Sequence, residues 1–320
     1  MIHSRRWPVF LRPPLLAWLR FWHGLPGNAK GAIWILGAAL LGACMGALIK
    51  FVGRRIPVFE ILFVRQLCVL AILSPVIVQH HNTVFKTDYL KFHILRGLFA
   101  VIAMSAGFTA IVHMQLAEAI AISFARTLFM TVLAIFFLRE VVGIRRWSVT
   151  LIGFIGVMVI VRPGTEHMNA YAWLALLSAM FVAALTIVLR KLSQIEPAST
   201  IMAYQSSFIT VIMAGPAFYF WVPPTWQEIA LILVIGALMS TMQWCNIQGL
   251  KVAEAVAVAP IEYTRLLFAG IIGMIFFAEV PTVWTLAGSA IIIGSTLYTI
   301  HRNAIRKRAR VSGGGARKTG

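Results

Sequence analysis

The sequence predicts an all-α integral membrane protein whose ten transmembrane helices form two inverted five-helix repeats. The prediction rests on the composition, the spacing of the apolar segments and a repeat within the chain. Of the 320 residues, 60% are hydrophobic and only 12% are charged, whereas soluble domains contain about 25% charged residues. A soluble fold of this size has too little interior for so much apolar surface, so the composition indicates a chain embedded in a bilayer.

Ten apolar segments have the length of transmembrane helices, because a bilayer requires about 20 apolar residues per crossing. Short polar or proline-containing stretches, such as residues 54–57 and 223–224, separate most of them. The predicted spans are 31–50, 58–79, 92–113, 117–138, 147–162, 170–189, 198–221, 228–249, 253–277 and 282–300.

The distribution of the lysines and arginines predicts the orientation. If the N-terminus is cytoplasmic, 20 of the 28 cations fall in segments on the inner side, four on the outer side and four within spans. This asymmetry predicts the cell (inner or plasma) membrane with both termini cytoplasmic. The basic segments 1–30 and 302–320 are expected to contact anionic lipid, and nucleic acid is not an expected partner.

The two halves of the chain align with one another at an offset of 139 residues. Arg126 then falls on Arg265, and Glu140 falls on Glu279. The same offset matches Trp34 with Trp173, Gln66 with Gln205, Gly97 with Gly236 and Phe129 with Phe268. Because Trp, Gln, Arg and Glu are uncommon in this chain, their agreement indicates a duplication, with repeats at 31–163 and 170–301. Five helices per repeat is an odd number, which inverts the second copy, a design that recurs in secondary transporters.

Three segments carry a resemblance to a known family: FFLREVVGIRRWSVTLIGFIGVMVIV, its echo IFFAEVPTVWTLAGSAIIIGSTLY, and APIEYTRLLF in the ninth span. They resemble the EamA repeat of the drug/metabolite transporter superfamily over roughly residues 31–301. The resemblance implies ten helices, cytoplasmic termini and a central cavity that opens to alternating sides. It also implies small substrates such as amino acids, riboflavin, S-adenosylmethionine or drugs. At Arg126 and Thr127 the chain departs from the family, which commonly has proline in the middle of that helix.

Charged residues within the spans are the strongest site candidates, because a charge at the bilayer centre costs about 2.5–3.5 kcal/mol by insertion scales. We expect Arg65, Arg126 and Arg265 to face a cavity and to bind an anionic group of the substrate through their planar guanidinium groups. The alternative is structural pairing. Glu262 precedes Arg265 by three residues, which places both on one helix face. We favour an ion pair between them over a proton-carrying Glu262.

Uncharged polar residues within the spans form a second group of candidates. Substrate binding and helix-to-helix hydrogen bonding are both open for them. This group comprises Gln66, Tyr204, Gln205, Gln243, Trp244 and Asn246. Gly42 and Gly46 have the spacing of a close helix-packing face rather than of a site.

The function predicted from these features is secondary transport of a small metabolite with an anionic group. The sequence contains no recognisable hydrolase, zinc or nucleotide-binding motif, so we expect neither an enzyme nor a cofactor or metal. The expected partners are the substrate, membrane lipid and a proton or counter-substrate, with the chain acting as a monomer or homodimer. The alternatives are a membrane-embedded enzyme for lipid-like substrates and a channel or scaffold without carrier activity.

Overall fold

A computed structural model describes residues 25–79, 84–138, 144–162, 169–253, 261–295 and 297–298. Glu140, Pro260 and most of the two basic terminal segments lie outside these ranges. Within them the chain is helical and contains no strand. The helices are α1 (Gly27–Val52), α2 (Val58–Gln79), α3 (Leu90–His113), α4 (Leu116–Ser123), α5 (Arg126–Leu138), α6 (Ile144–Val161), α7 (Tyr171–Leu192), α8 (Ala198–Tyr219), α9 (Trp226–Val252), α10 (Thr264–Phe277) and α11 (Val283–Ser295).

Six of these helices, α1, α2, α3, α7, α8 and α9, are long and apolar enough to cross a membrane. The predicted fourth span is not one helix, because a turn at residues 124–125 separates α4 from α5. The described chain therefore has eleven helices, where the sequence predicted ten. Hydroxyl groups occupy the break: Ser123 Oγ donates to the Ile120 carbonyl (2.7 Å), and Thr127 Oγ1 donates to the Phe124 carbonyl (2.8 Å). Such side-chain bonds compete with regular helical bonds.

Packing between the two halves of the chain dominates the fold. The most extensive helix contacts are α1 with α9, α3 with α7 and α2 with α8, followed by α1 with α10. In the repeat, α1 is equivalent to α7, α2 to α8 and α3 to α9. This equivalence converts the α1–α9 contact into the α3–α7 contact and leaves the α2–α8 contact unchanged. The helix arrangement is therefore approximately two-fold symmetric, and α4 lies inside it with Leu116 and Ile120 fully buried.

The loops meet at two opposite ends of the bundle. At one end Arg55, after α1, donates through Nε to Glu228 of α9 (3.1 Å), and Asn169, before α7, donates to the His113 carbonyl (3.4 Å). At the other end Thr87 donates to Glu196 (2.5 Å). Helix α1 thus ends at the same end of the bundle at which α7 begins. We call this end, which contains Arg55 and Asn169, the α1-exit end.

Candidate functional site

Two helix interruptions meet in the middle of the bundle. Phe124 lies in the turn between α4 and α5, and Tyr263 lies in the turn immediately before α10. The two residues are 139 positions apart and are therefore equivalent in the repeat. Their rings are in edge-to-face contact, with centroids 4.8 Å apart and planes at 63°. A contact between equivalent residues places the interruptions of both halves side by side.

An ion pair bridges the same two interruptions. Arg126, the first residue of α5, donates through Nη2 to the Glu262 carboxylate. The side chains keep 35% and 44% of their surface accessible, so the pair is not sealed in the core. The sequence spacing predicted Arg265 as the partner of Glu262, but the structure shows a partner in the other half of the chain. The three-residue spacing aligns two side chains only on a continuous helix, and the turn at Tyr263 interrupts that helix.

Arg265 lies beside this pair and is held by a different contact. Its Nη2 atom donates to the Gly42 carbonyl of α1 (3.4 Å), while its buried Nε atom has no hydrogen-bond partner among the described residues. Arg126 and Glu262 are its charged neighbours. A Cβ atom on Gly42 would lie 3.0 Å from Arg265 Nε and 3.0 Å from Met242 Sδ. Gly42 therefore makes room for the guanidinium, a role that the sequence analysis missed.

We call Arg126, Glu262 and Arg265 the central cluster. Two guanidinium groups and one carboxylate give it a formal charge of +1. Arg126 lies roughly 15 Å beyond Leu116, and Arg265 roughly 18 Å before Phe277, at a rise of 1.5 Å per residue. Both positions are near the middle of a hydrocarbon layer about 30 Å thick. Chemically, the cluster can bind one anionic group and place a carboxylate next to it.

Arg65 has different surroundings from the central cluster. Only 1% of the residue is exposed, and its Nη2 atom donates to Gln66 Oε1 (3.1 Å). The rest of the guanidinium contacts the sulfur atoms of Met104 and Met239 and lies 5.8 Å from the centre of the Phe108 ring. Among the described residues no carboxylate forms an ion pair with it. The structure thus encloses Arg65 between α2, α3 and α9.

The remaining predicted site residues lie on α8 and α9. Tyr204 donates to the Phe85 carbonyl (2.6 Å) and stacks on His93, at the end opposite the α1-exit end. Gln205, its neighbour on α8, is half-buried. Asn246 is half-buried one turn after Met242, on the face of α9 that approaches Arg265.

The other two α9 candidates are more exposed. Gln243 is exposed, and about half of the surface of Trp244 is accessible. The Trp244 ring packs edge-on against Trp34 of α1, with centroids 5.0 Å apart. The contact ties α9 to α1 about two turns before Gly42.

A second charged cluster, at the α1-exit end, was not predicted as a site. Lys50 forms an ion pair with Glu279 and donates to the Met114 carbonyl, and Glu279 accepts the Leu116 N–H (2.8 Å). Sequence signals were present, because Glu279 is a repeat marker and Lys50 is one of few cations in the outer segments. Nothing in the one-dimensional pattern joins them, since they are 229 positions apart.

Comparison with known protein families gives a match over most of the chain. The sequence profile described as the EamA-like transporter family matches residues 29–162 and 169–300. The chain belongs to this family. The two matches show two EamA repeats in this EamA-like transporter, as the resemblance predicted, and they confirm a multi-pass membrane protein of a transporter family rather than an enzyme family.

Named relatives of this EamA-like transporter carry small metabolites. It is 31% identical over 272 residues to an S-adenosylmethionine uptake transporter of Rickettsia felis, covering 85% of this chain and 92% of the relative. It is 26% identical to a riboflavin transporter of Brucella anthropi, covering 82% and 95%. A solved crystal structure with 15% identity matches 87% of this chain and 98% of its own with a TM-score of 0.58, which shows a shared fold.

Proposed function

We propose that this protein is a secondary transporter that moves a small metabolite with an anionic group across the cell membrane by alternating access, without ATP. The observation that carries the proposal is the Arg126–Glu262 ion pair. It joins the helix interruptions of both halves near mid-depth, with Arg265 beside it. Interrupted helices at the midplane, between repeats, are where secondary transporters bind their substrates.

The repeats 31–163 and 170–301 supply the alternation in this proposal. Helix α1 ends at the end of the bundle where α7 begins, which supports opposite orientations of the two five-helix units. Two inverted units of similar structure can exchange conformations, so that the central cluster faces first one side of the membrane and then the other. The predicted excess of cations on the inner side supports cytoplasmic termini.

The charges of the central cluster favour a substrate with a carboxylate or phosphate. A net charge of +1 is neutralised by one carboxylate or one phosphodiester, and guanidinium binds such a group through two parallel hydrogen bonds. Glu262 adds a preference for a cationic group close by. S-Adenosylmethionine, for which the Rickettsia felis relative is named, bears a carboxylate together with an ammonium and a sulfonium group. It is therefore the first substrate to test.

Counterflow in proteoliposomes tests the transporter proposal. Purified protein is reconstituted into liposomes loaded with unlabelled S-adenosylmethionine, and labelled S-adenosylmethionine is added outside without ATP. A carrier accumulates label transiently above the equilibrium level, a channel only equilibrates it, and an enzyme alters it chemically. A panel of amino acids and nucleotides extends the search. Absence of counterflow with every anionic metabolite in the panel would refute the proposal.

The variant Arg126→Gln tests the central cluster. We expect transport to fall by roughly 100-fold, because a charge-assisted bond contributes about 1.5–3 kcal/mol and each 1.4 kcal/mol is tenfold. Membrane insertion should be unchanged. Arg55→Gln is the matched control, since it removes a guanidinium from an exposed ion pair and should leave transport intact. Full activity in Arg126→Gln would remove this residue from the site.

A further inference from the structure

A polar cavity of about 380 Å³ opens at the α1-exit end of the bundle, away from the central cluster. Its lining comes from the end of α1, the junction of α3 and α4, the residues flanking α6 and α7, and the segment between α10 and α11. Four charged side chains line it, Lys50, Glu118, Arg162 and Glu279, and its polar lining includes His113, Gln115 and Asn169. A volume of this size is within the range of small-molecule sites.

The charges of the cavity balance. Lys50 and Glu279 form one couple as an ion pair. Glu118 and Arg162 line the same cavity and add a second couple of opposite charges. The formal charge is zero, in contrast to +1 for the central cluster. A ligand with only an anionic group would leave the two carboxylates without a partner in the ligand, and one with only a cationic group would leave the two cations without one. A group that carries both charges can pair with both.

A further observation indicates a binding site rather than a structural void. The Gln115 Oε1 atom is buried and has no hydrogen-bond partner among the described residues, which is costly unless a ligand supplies one. Arg162 and Ala278, the residue before Glu279, have φ angles of 48° and 55°, and no other non-glycine residue of the described chain has a positive φ. Each of them directly follows the last residue of a helix, where a left-handed residue is a common cap, so α6 and α10 both end at the rim of the cavity.

We infer that this cavity is a second binding site, which takes the zwitterionic amino-acid group of a substrate before or after it occupies the central cluster. The substrate carboxylate binds Lys50 and Arg162, and its ammonium group binds Glu118 and Glu279. Glu118 lies on α4 eight residues before Arg126, about 12 Å along the same span. One broken span thus connects the two sites. The inference rests on the proposed function for the substrate class alone.

Equilibrium binding of labelled S-adenosylmethionine to the purified full-length protein tests this inference. Wild type should bind two molecules per chain, and Arg126→Gln should bind one, in the cavity. L-Methionine should displace that molecule. Two analogues should compete at least about tenfold more weakly: methionine methyl ester, which lacks the carboxylate, and the methionine analogue that lacks the ammonium group. In the Arg126→Gln background, Glu118→Gln should lower the affinity at least about tenfold.

A second substitution and a control protect the test against misfolding. Arg162→Asn removes the charge while keeping a residue that tolerates positive φ, and it should lower affinity as Glu118→Gln does. Glu228→Gln removes a carboxylate at the same end but outside the cavity, and glutamine preserves the capping box at the start of α9. It should leave binding unchanged.

The outcomes separate the two proposals. The cavity site is refuted if Arg126→Gln abolishes all binding. It is also refuted if Glu118→Gln and Arg162→Asn, each made in the Arg126→Gln background, both leave the remaining binding unaffected. In either case wild-type counterflow still supports transport. If wild type shows no counterflow with any anionic metabolite of the panel but Arg126→Gln binds one displaceable molecule, transport is refuted and the cavity site stands. Absence of binding to wild type refutes the cavity site.

Discussion

Arg126 and Arg65 are both arginines deep within apolar spans, yet their surroundings are opposite. Arg126 keeps a third of its side-chain surface accessible and pairs with Glu262 of the other half. Arg65 is fully buried and contacts an amide, two thioethers and an aromatic ring, with no paired carboxylate among the described residues. The sequence predicted the same role for both.

The difference teaches that a charge inside a span can be retained for two reasons. At Arg126 the charge is compensated and accessible, as required for a site that a substrate enters in this conformation. At Arg65 the charge is neither compensated nor accessible, and burial of such a charge destabilises the fold. Flexible methionine side chains enclose it. We therefore expect Arg65 to become accessible when the halves move, and to act in transport rather than in stability.

The largest expected effect comes from exchanging the charges of the central ion pair. Arg126→Glu alone places two carboxylates together and should lower both the melting temperature and transport. Adding Glu262→Arg restores an ion pair, so the melting temperature should recover to within a few degrees. Transport should stay roughly 100-fold below wild type, because the cation then lies just before the Tyr263 turn, in the same half as Arg265, and no longer faces Arg265 from the other half. Thermal unfolding and counterflow measure the two effects, and wild-type transport in the double variant would make the pair purely structural.

The second expected effect separates Arg65 from Arg126. Arg65→Met replaces the buried guanidinium by an apolar chain of similar length among two other methionines. Replacing a buried charge by a well-packed apolar group is often neutral or stabilising, so the melting temperature should be unchanged or higher. Transport should fall by about tenfold, as expected for loss of one ligand contact. Arg65→Lys, which keeps a charge, is the control. A large loss of thermal stability in Arg65→Met would show instead that the arginine holds the fold together.

How far the sequence predicted this molecule depends on whether a feature is local. Helical spans follow from apolar segment length, and the repeat follows from rare residues such as Arg126 and Arg265 at one offset. The break of span four was not predicted, because the chain has no proline there. Instead, the hydroxyl groups of Ser123 and Thr127 donate to backbone carbonyls at the break. The turn at Tyr263, which separates Glu262 from Arg265, was not predicted either.

Features that join distant segments were beyond the sequence. The Lys50–Glu279 pair depends on how α1 and α10 pack. Gly42 was predicted as a packing residue, because the glycine spacing looks the same whether a helix backbone or a guanidinium fills the space. Only the three-dimensional arrangement shows that Arg265 fills it.

The third expected effect is smaller and tests that space. Gly42→Ala should lower transport by about five- to tenfold, because overpacking by one methyl group costs about 1 kcal/mol or slightly more and each 1.4 kcal/mol is tenfold; the methyl group here displaces Arg265 rather than an apolar side chain. Gly37→Ala is the matched control on the same helix, since a Cβ atom there meets nothing within 4 Å. Counterflow rates of both variants, normalised to protein in the membrane, measure the effect. Equal rates for the two variants would show that Arg265 can move without loss of function.

The smallest expected effect concerns Tyr204, which occupies the repeat position equivalent to Arg65. Its hydroxyl group donates to the Phe85 carbonyl, so the two halves use this position differently: a charge in the first, a loop anchor in the second. Tyr204→Phe removes only the anchor and should lower stability by about 1 kcal/mol, with transport within twofold of wild type. The stacking on His93 is retained, which isolates the hydroxyl group. Loss of transport in Tyr204→Phe would mean that both Arg65 and Tyr204 act on the substrate. The difference between an enclosed Arg65 and an anchoring Tyr204 would then hold in only one conformation of the transport cycle.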